Sequence, residues 1–188
     1  MVSTDDIRKA VIRALEGLLR TDGALFLCPV EVDSDYDVRK LHEVCINHQL
    51  ANHLQRQLIP ILPCPDSFFV DIEFNREGIN YKGTMIDGQE ELVRPDIIVH
   101  NRKSGNTKDN VLVVECKKTG AYSGDVEYDR KKIVALMTDE TYDYRFGLQV
   151  QYGVTMIKAV FFSRPQGALE EEHLVVPLNP NLQSAVYG

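Results

Sequence analysis

Along Val111-Leu112-Val113-Val114-Glu115-Cys116-Lys117 a β-prone apolar run ends in a carboxylate and an ammonium two residues apart. A side-chain period of two puts Val111, Val113, Glu115 and Lys117 on one face and Leu112, Val114 and Cys116 on the other. Both faces are apolar until Glu115, the pattern of a central strand covered on both sides, so the carboxylate and the ammonium leave the core together. A second run, Arg94-Pro95-Asp96-Ile97-Ile98-Val99-His100, opens with an acidic residue directly after a proline. If the two strands pair antiparallel, Asp96 approaches Glu115.

Two carboxylates at close range repel each other unless a cation neutralises them, and hard oxygen donors with few thiols or imidazoles nearby suit Mg2+ or Mn2+. Such an ion binds phosphate oxygens, lowers the pKa of a bound water and steadies the charge that develops in phosphoryl transfer. A nearby lysine orients or deprotonates the nucleophile. The bland alternative is an exposed Glu115–Lys117 ion pair at a strand end, contributing at most about 1 kcal/mol. It leaves Asp96 unexplained.

The elements that must position these residues follow from periodicity. Ser3 and Thr4 ahead of Asp5 and Asp6 predict an N-cap and an acidic first turn for a helix to about Arg20, carrying Ile7, Val11, Leu15, Leu18 and Leu19 and closed by Asp22-Gly23. A second helix is predicted from near Asp37 to just before Pro60. Val44, Leu50, Ala51, Leu54 and Leu58 make its apolar stripe, yet Glu43 and Asn47 project from the same side. Either Glu43 reaches solvent past the end of the core or it serves a site there.

Phe68 to Phe74 alternates as a strand, and turn chemistry at Glu77-Gly78, Lys82-Gly83 and Asp87-Gly88 predicts a short extra hairpin strand. Ser104-Gly105-Asn106 is turn-like within the link between the two site-bearing strands. Asp125 is placed to cap a third helix running to about Thr138, with Val126, Ile133, Leu136 and Met137 inward. Strands are expected at Phe146–Tyr152 and Met156–Phe162. From Arg164, three prolines and a short apolar run at Leu174–Val176 predict an irregular, partly docked tail.

Arg94-Pro95-Asp96 followed by Glu115-Cys116-Lys117 resembles the PD-(D/E)xK motif of restriction-endonuclease-like nucleases, its proline included. The order of elements resembles that family's αβββαβ core, covering about residues 37–162. The resemblance implies an α/β fold in one domain, a mixed central sheet flanked by helices, with residues 1–36 as an N-terminal helical addition and 164–188 as a tail. It makes Asp96 and Glu115 metal ligands, the main-chain carbonyl of Cys116 a further ligand and Lys117 the water-positioning residue. Glu43 stands where the family often supplies another acidic residue, acting through metal or water. Lys132, and after it Asp129, are candidates for an accessory side chain on the helix after the third strand. The implied activity is Mg2+-dependent (or Mn2+-dependent) hydrolysis of phosphodiester bonds in nucleic acid, with DNA expected and a 5′-phosphate left. The alternative is a catalytically inactive relative that binds nucleic acid or protein.

Composition bounds the remaining choices. The 188 residues, 44% hydrophobic, suffice for a genuine core. No stretch approaches the roughly 18 apolar residues of a membrane helix, so no membrane partner is expected. The formal net charge of −7 argues against a general polyanion binder, whose affinity comes from surplus cations. Acidity concentrates at Glu31–Asp37 and Glu170–Glu172, however, while Lys117, Lys118, Arg130, Lys131 and Lys132 lie close together in sequence. Cys28, Cys45, Cys64 and Cys116 follow no CxxC rhythm and fall in apolar segments, which predicts reduced, packed thiols and a cytoplasmic location.

His42, His48 and His53 form no HExxH and are expected at a solvated helix edge. No GxSxG, GxxxxGK[ST] or GxGxxG occurs. Tyr122, Tyr128, Tyr142 and Tyr144, with Arg130, Lys131 and Arg145, suit either phosphate and base contacts or an ordinary amphipathic rim. A homodimer fits a duplex cut on both strands.

Overall fold

The computed structural model of the protein describes residues 2–23, 42–77, 80–102, 110–153 and 156–177. Cys28, the acidic run from Glu31 to Asp37, Gly78, the Ser104-Gly105-Asn106 turn and the chain after Pro177 lie outside the described residues.

Helix α1 spans Thr4–Asp22 and starts at a reciprocal cap. The Asp6 N–H donates to Ser3 Oγ at 3.1 Å, and the Ser3 N–H donates to Asp6 Oδ2 at 3.2 Å. Gly23 keeps right-handed helical angles, so no left-handed glycine closes the helix. Helix α2 spans Glu43–Leu58, ended by Pro60 in the 3-10 turn Ile59–Ile61. Its expected start near Asp37 is outside the described residues. Val44 is 42% exposed rather than part of the apolar stripe, and Ile46 takes its place beside Leu50, Leu54 and Leu58.

The two helices pack on each other around Gly17, where a Cβ would stand 2.7 Å from His53 Nδ1. The expectation of solvated histidines therefore fails at His53, which is buried with Nε2 2.8 Å from Asp22 Oδ2 and 3.1 Å from Thr21 Oγ1. His42 and His48 are exposed. A polar partner at the end of α1 is what allows an imidazole inside the helix pair.

Ten strands are described: β1 (Phe69–Ile72), β2 (Arg76–Glu77), β3 (Asn80–Tyr81), β4 (Gly83–Ile86), β5 (Gln89–Leu92), β6 (Ile97–His100), β7 (Asn110–Lys118), β8 (Phe146–Tyr152), β9 (Met156–Ser163) and β10 (Glu170–Pro177). Helix α3, Ser123–Thr138, joins β7 to β8. Six strands form one mixed sheet in the order β1-β6-β7-β8-β9-β10, antiparallel throughout except for the parallel pair β7–β8. A helix crossover is what a parallel pair requires. Where one short extra hairpin strand was expected there are two small hairpins, β2–β3 and β4–β5, the second turning at Asp87-Gly88 with positive φ at both residues.

The expectation of an irregular tail is overturned over residues 170–177. Residues 170–177 form β10, paired along its length with β9, because Leu174 and Val176 point inward while Val175 points out. Pro177 sits at the last position of this edge strand, where a missing N–H costs least.

The sheet is covered on both faces. One core joins α1 and α2 to Leu112, Val114, Cys116, Leu148 and Val150. The other joins Ile133, Leu136 and Met137 of α3 to Ile98, Val113 and Phe162. Val111 does not share the face of Val113 as the simple alternation predicts. Val99 pairs with Leu112 but His100 with Asn110, so Val111 is the extra residue of a bulge and joins the first core.

Asp125 lies in the first turn of α3, not at its cap, which is Tyr122 with no side-chain capping bond. Val126 is only half-buried, and Asp129 occupies the buried side instead. Cys45 and Cys64 are exposed, against the expectation that they pack, whereas Cys116 is buried. Among the described residues no helix is long and apolar enough to cross a membrane.

Candidate active site

Glu115 is 1% exposed near the end of β7, held there by a strand whose residues 111–116 are all buried. Each fully buried aliphatic side chain contributes roughly 1.5–3 kcal/mol, enough collectively to carry one carboxylate inward. Ile97 pairs antiparallel with Val114, which sets Asp96 opposite the segment that follows. Asp96 Oδ2 accepts a hydrogen bond from the Cys116 N–H at 2.7 Å, and the Asp96 carbonyl accepts one from the Glu73 N–H at 2.9 Å. Asp96 and Glu115 thus both lie at the shared end of β6 and β7, as antiparallel pairing requires.

Two helices supply the rest, against Lys117 and Lys118 of β7. From α2, Glu43 Oε2 accepts the Lys118 N–H at 2.9 Å, and its Oε1 stands 4.0 Å from Lys117 Nζ. From α3, Asp129 Oδ2 is 3.0 Å from Lys117 Nζ, and Asp129 Oδ1 is 3.4 Å from Lys132 Nζ. Lys132 Nζ in turn lies 2.7 Å from Glu115 Oε2. Asp129 and Lys132 are three residues apart and so share a helix face. Glu43, Lys117, Asp129, Lys132 and Glu115 form a continuous line of alternating charge, with Asp96 beside it.

All seven residues singled out from the sequence come together here, but Asp129 does more than an accessory position implied: it bridges both lysines. Gln149 was missed. It is the register partner of Glu115 on β8, and its Nε2 donates to the Val126 carbonyl at 2.6 Å, fixing the first turns of α3 beside the site. Gln149 and Gln151 both interrupt the apolar Phe146–Tyr152 strand, and of the two it is Gln149 that is buried beside the site.

Gly147 lets α3 come this close. A Cβ there would stand 2.4 Å from Ile133 Cγ2 and 2.8 Å from Met137 Sδ.

Burial pushes the Glu115 carboxyl well above its ordinary range, against the pull of Lys132. Asp96 is also raised by burial, partly offset by the Cys116 N–H, and Glu43 is raised for the same first reason, against the Lys117 charge. Burial alone would lower Lys117, but the Asp129 carboxylate 3.0 Å away and the other surrounding carboxylates outweigh it and raise the ammonium. Lys117 is therefore a fixed cation and hydrogen-bond donor here.

Comparison with family models, curated proteins and solved structures finds no match to this chain.

Glu115 Oε1 is buried with no hydrogen-bond partner. Four carboxylates, Glu43, Asp96, Glu115 and Asp129, against two ammoniums, Lys117 and Lys132, give these six side chains a formal charge of −2 when all are ionised. In charge and donor hardness this fits one divalent cation such as Mg2+. Among the described residues, however, no three His, Cys, Asp or Glu side chains are gathered into a metal-binding group. The ammoniums stand between the carboxylates.

Of the two readings open for Tyr122, Tyr128, Tyr142 and Tyr144, phosphate and base contacts or an amphipathic rim, neither describes Tyr142 and Tyr144. Tyr142 and Tyr144 are buried and surround Lys82, whose Nζ is 4.7 Å and 5.5 Å from the two ring centroids. Of the cations expected there, Arg130 pairs with Glu171, Lys131 lies 2.6 Å from Asp87, and Arg145 donates to the Val2 carbonyl at 3.3 Å. Tyr122 is exposed, and Tyr128 sits at the site's edge with its ring centroid 5.9 Å from Lys132 Nζ. The Tyr128 hydroxyl donates to Glu91 of β5, and this bond pushes the phenol up to about 12.

Proposed function

We propose that the chain is a divalent-cation-dependent nuclease that hydrolyses phosphodiester bonds of DNA in the cytoplasm. Its core would be restriction-endonuclease-like, with α2, β1, β6, β7, α3 and β8 as the αβββαβ unit. The observation that carries the reading is the buried Glu115 carboxylate with one oxygen unpartnered, beside Asp96 and Lys117 at the end of the same two strands.

Asp96, Glu115, the Cys116 carbonyl and Glu43 are the groups that would hold Mg2+ or Mn2+, which supplies phosphate binding and neutralises charge developing on phosphorus oxygens. Lys117, anchored by Asp129, donates to a water or a phosphate oxygen and adds positive charge where the transition state gains negative charge. Asp129 keeps that ammonium aimed and protonated. Attack of water on phosphorus with O3′ as leaving group leaves a 5′-phosphate. Two copies of the chain would present two such sites to the two strands of a duplex.

Incubation of the purified chain with linear, circular and single-stranded DNA and with RNA, plus Mg2+ or Mn2+, tests this. Glu115→Ala and Lys117→Ala are each expected to lose about 10²–10³-fold in cleavage rate, the scale for removing one preorganised charge-stabilising group. Cleavage that survives both substitutions would refute the assignment.

The Lys132–Glu115 pair favours a second reading. A carboxylate already matched to a lysine needs no metal for its own stability, which suits a nuclease-like domain that binds nucleic acid or protein without turnover. Absent Mn2+ binding by calorimetry, combined with intact oligonucleotide affinity, would select it.

A further inference from the structure

We propose that Lys132 is the resident counter-ion of Glu115: a positioning residue that holds the carboxylate in the metal-free protein and competes with the divalent cation for it. This rests on the metal-dependent reading above and assigns within it a role that the motif residues do not supply.

A carboxylate 1% exposed is strongly destabilising when left without a counter-charge. Lys132 meets that need through Oε2 alone, at 2.7 Å, and leaves Oε1 bare. A second ammonium or a structural hydrogen bond would have closed both oxygens. The arrangement instead leaves one buried oxygen without a partner on a group already paired with an ammonium.

Lys132 also has somewhere else to go. Its side chain is 12% exposed, and Asp129 Oδ1 lies 3.4 Å from the same Nζ. The Tyr128 ring is 5.9 Å away and accepts a cation on its face. The neighbouring Ile133 is fully buried against the sheet, so α3 stays fixed while the long lysine side chain changes partner. Asp129 bridges Lys117 and Lys132, so an ammonium released from Glu115 remains paired rather than stranded.

An ammonium and a divalent cation on one carboxylate repel each other, so each weakens the other's hold. Removing the lysine charge therefore strengthens cation binding. A lysine that merely packed α3 on the sheet would, on removal, weaken binding along with the fold.

The test is calorimetric titration of the full chain with MnCl2 at pH 8, with melting curves with and without Mn2+. The proteins are wild type, Lys132→Met and Lys132→Gln; glutamine keeps an amide donor to Glu115 and so protects folding should the methionine variant fail. Both folded variants are expected to bind Mn2+ at least tenfold more tightly than wild type, to melt lower without metal, and to gain more melting temperature from Mn2+. Unchanged or weaker Mn2+ affinity in the variants, with a wild type that binds Mn2+ and cleaves DNA, overturns the counter-ion role alone. A wild type that neither binds Mn2+ nor cleaves overturns the metal-dependent reading, and this role with it.

Discussion

Tyr152 ties the candidate site to the helix beneath it. Its hydroxyl lies 3.0 Å from Asn47 Oδ1 and 3.2 Å from Cys116 Sγ, with all three residues buried. A phenol has one proton, and burial keeps the Cys116 thiol protonated, so one consistent arrangement has Cys116 donating to Tyr152 and Tyr152 to Asn47. Tyr152→Phe leaves the Asn47 oxygen without its donor and is expected to cost about 1–2 kcal/mol in urea unfolding. Cleavage should persist in the folded variant, because the ring still supports Cys116 and no charge is removed. Loss of cleavage at full stability would instead place Tyr152 in the chemistry. Asp96, Glu115 and Lys117 were legible in the sequence because each interrupts a run of β-prone apolar residues. Asp129 was far less so. In Glu127-Tyr128-Asp129-Arg130-Lys131-Lys132 it reads as one more charge on a solvated face, and only the approach of Lys117 from another element gives it a role. Asn47 and Gln149 show in the sequence as polar interruptions of apolar patterns, but their partners, like those of Tyr152, lie far away in sequence and no local pattern names them.

Between elements, the distance from α3 to the sheet governs the site. Asp129 and Lys132 reach Lys117 and Glu115 only because Gly147 of β8 lets Ile133 and Met137 lie against bare backbone. Gly147→Ala forces a methyl into that contact and is expected to cost about 1–3 kcal/mol, the range for overpacking a filled core. Cleavage is expected to fall further than this stability loss accounts for, since α3 must lift and carry both side chains with it. Urea midpoints paired with cleavage rates check this, and a variant with lower stability but undiminished cleavage contradicts the dependence. Element order was readable from periodicity: the three helices, the β7–α3–β8 unit and the bounds of β8 emerge from apolar spacing alone. The bulge at Val111 and the strand β10 were not. A bulge changes which face a residue occupies without changing its type, and the prolines around 165–177 masked an alternation only three apolar residues long.

At the scale of the molecule, proton uptake works in opposite directions at the two ends of β6. At the Asp96 end, the raised carboxylates take up protons more readily folded than unfolded, so they favour the native state as pH falls. At the other end, His100 Nε2 lies 2.9 Å from Asp71 Oδ2 of β1, with Arg102 paired to the same carboxylate and the Phe74 ring against the imidazole. Burial holds His100 below its ordinary pKa, with Lys82 and Arg102 adding to the effect and Asp71 opposing it. Asp71 is held low too, because its hydrogen bonds to Arg102 and His100 outweigh its own burial. The unfolded chain therefore protonates His100 near pH 6.5, while the folded chain does so only at lower pH. Within that window the unfolded state binds more protons, so the His100 contribution is fully present above about pH 6.5 and is lost as pH falls through the folded value. His100→Gln keeps a donor for Asp71 but does not titrate. Urea unfolding at about pH 7, 6 and 5 is expected to show wild type losing stability relative to His100→Gln at each step down. A difference between the two proteins that stays constant across those three points would mean His100 titrates alike folded and unfolded, and that β1 and β6 are not joined through a neutral imidazole.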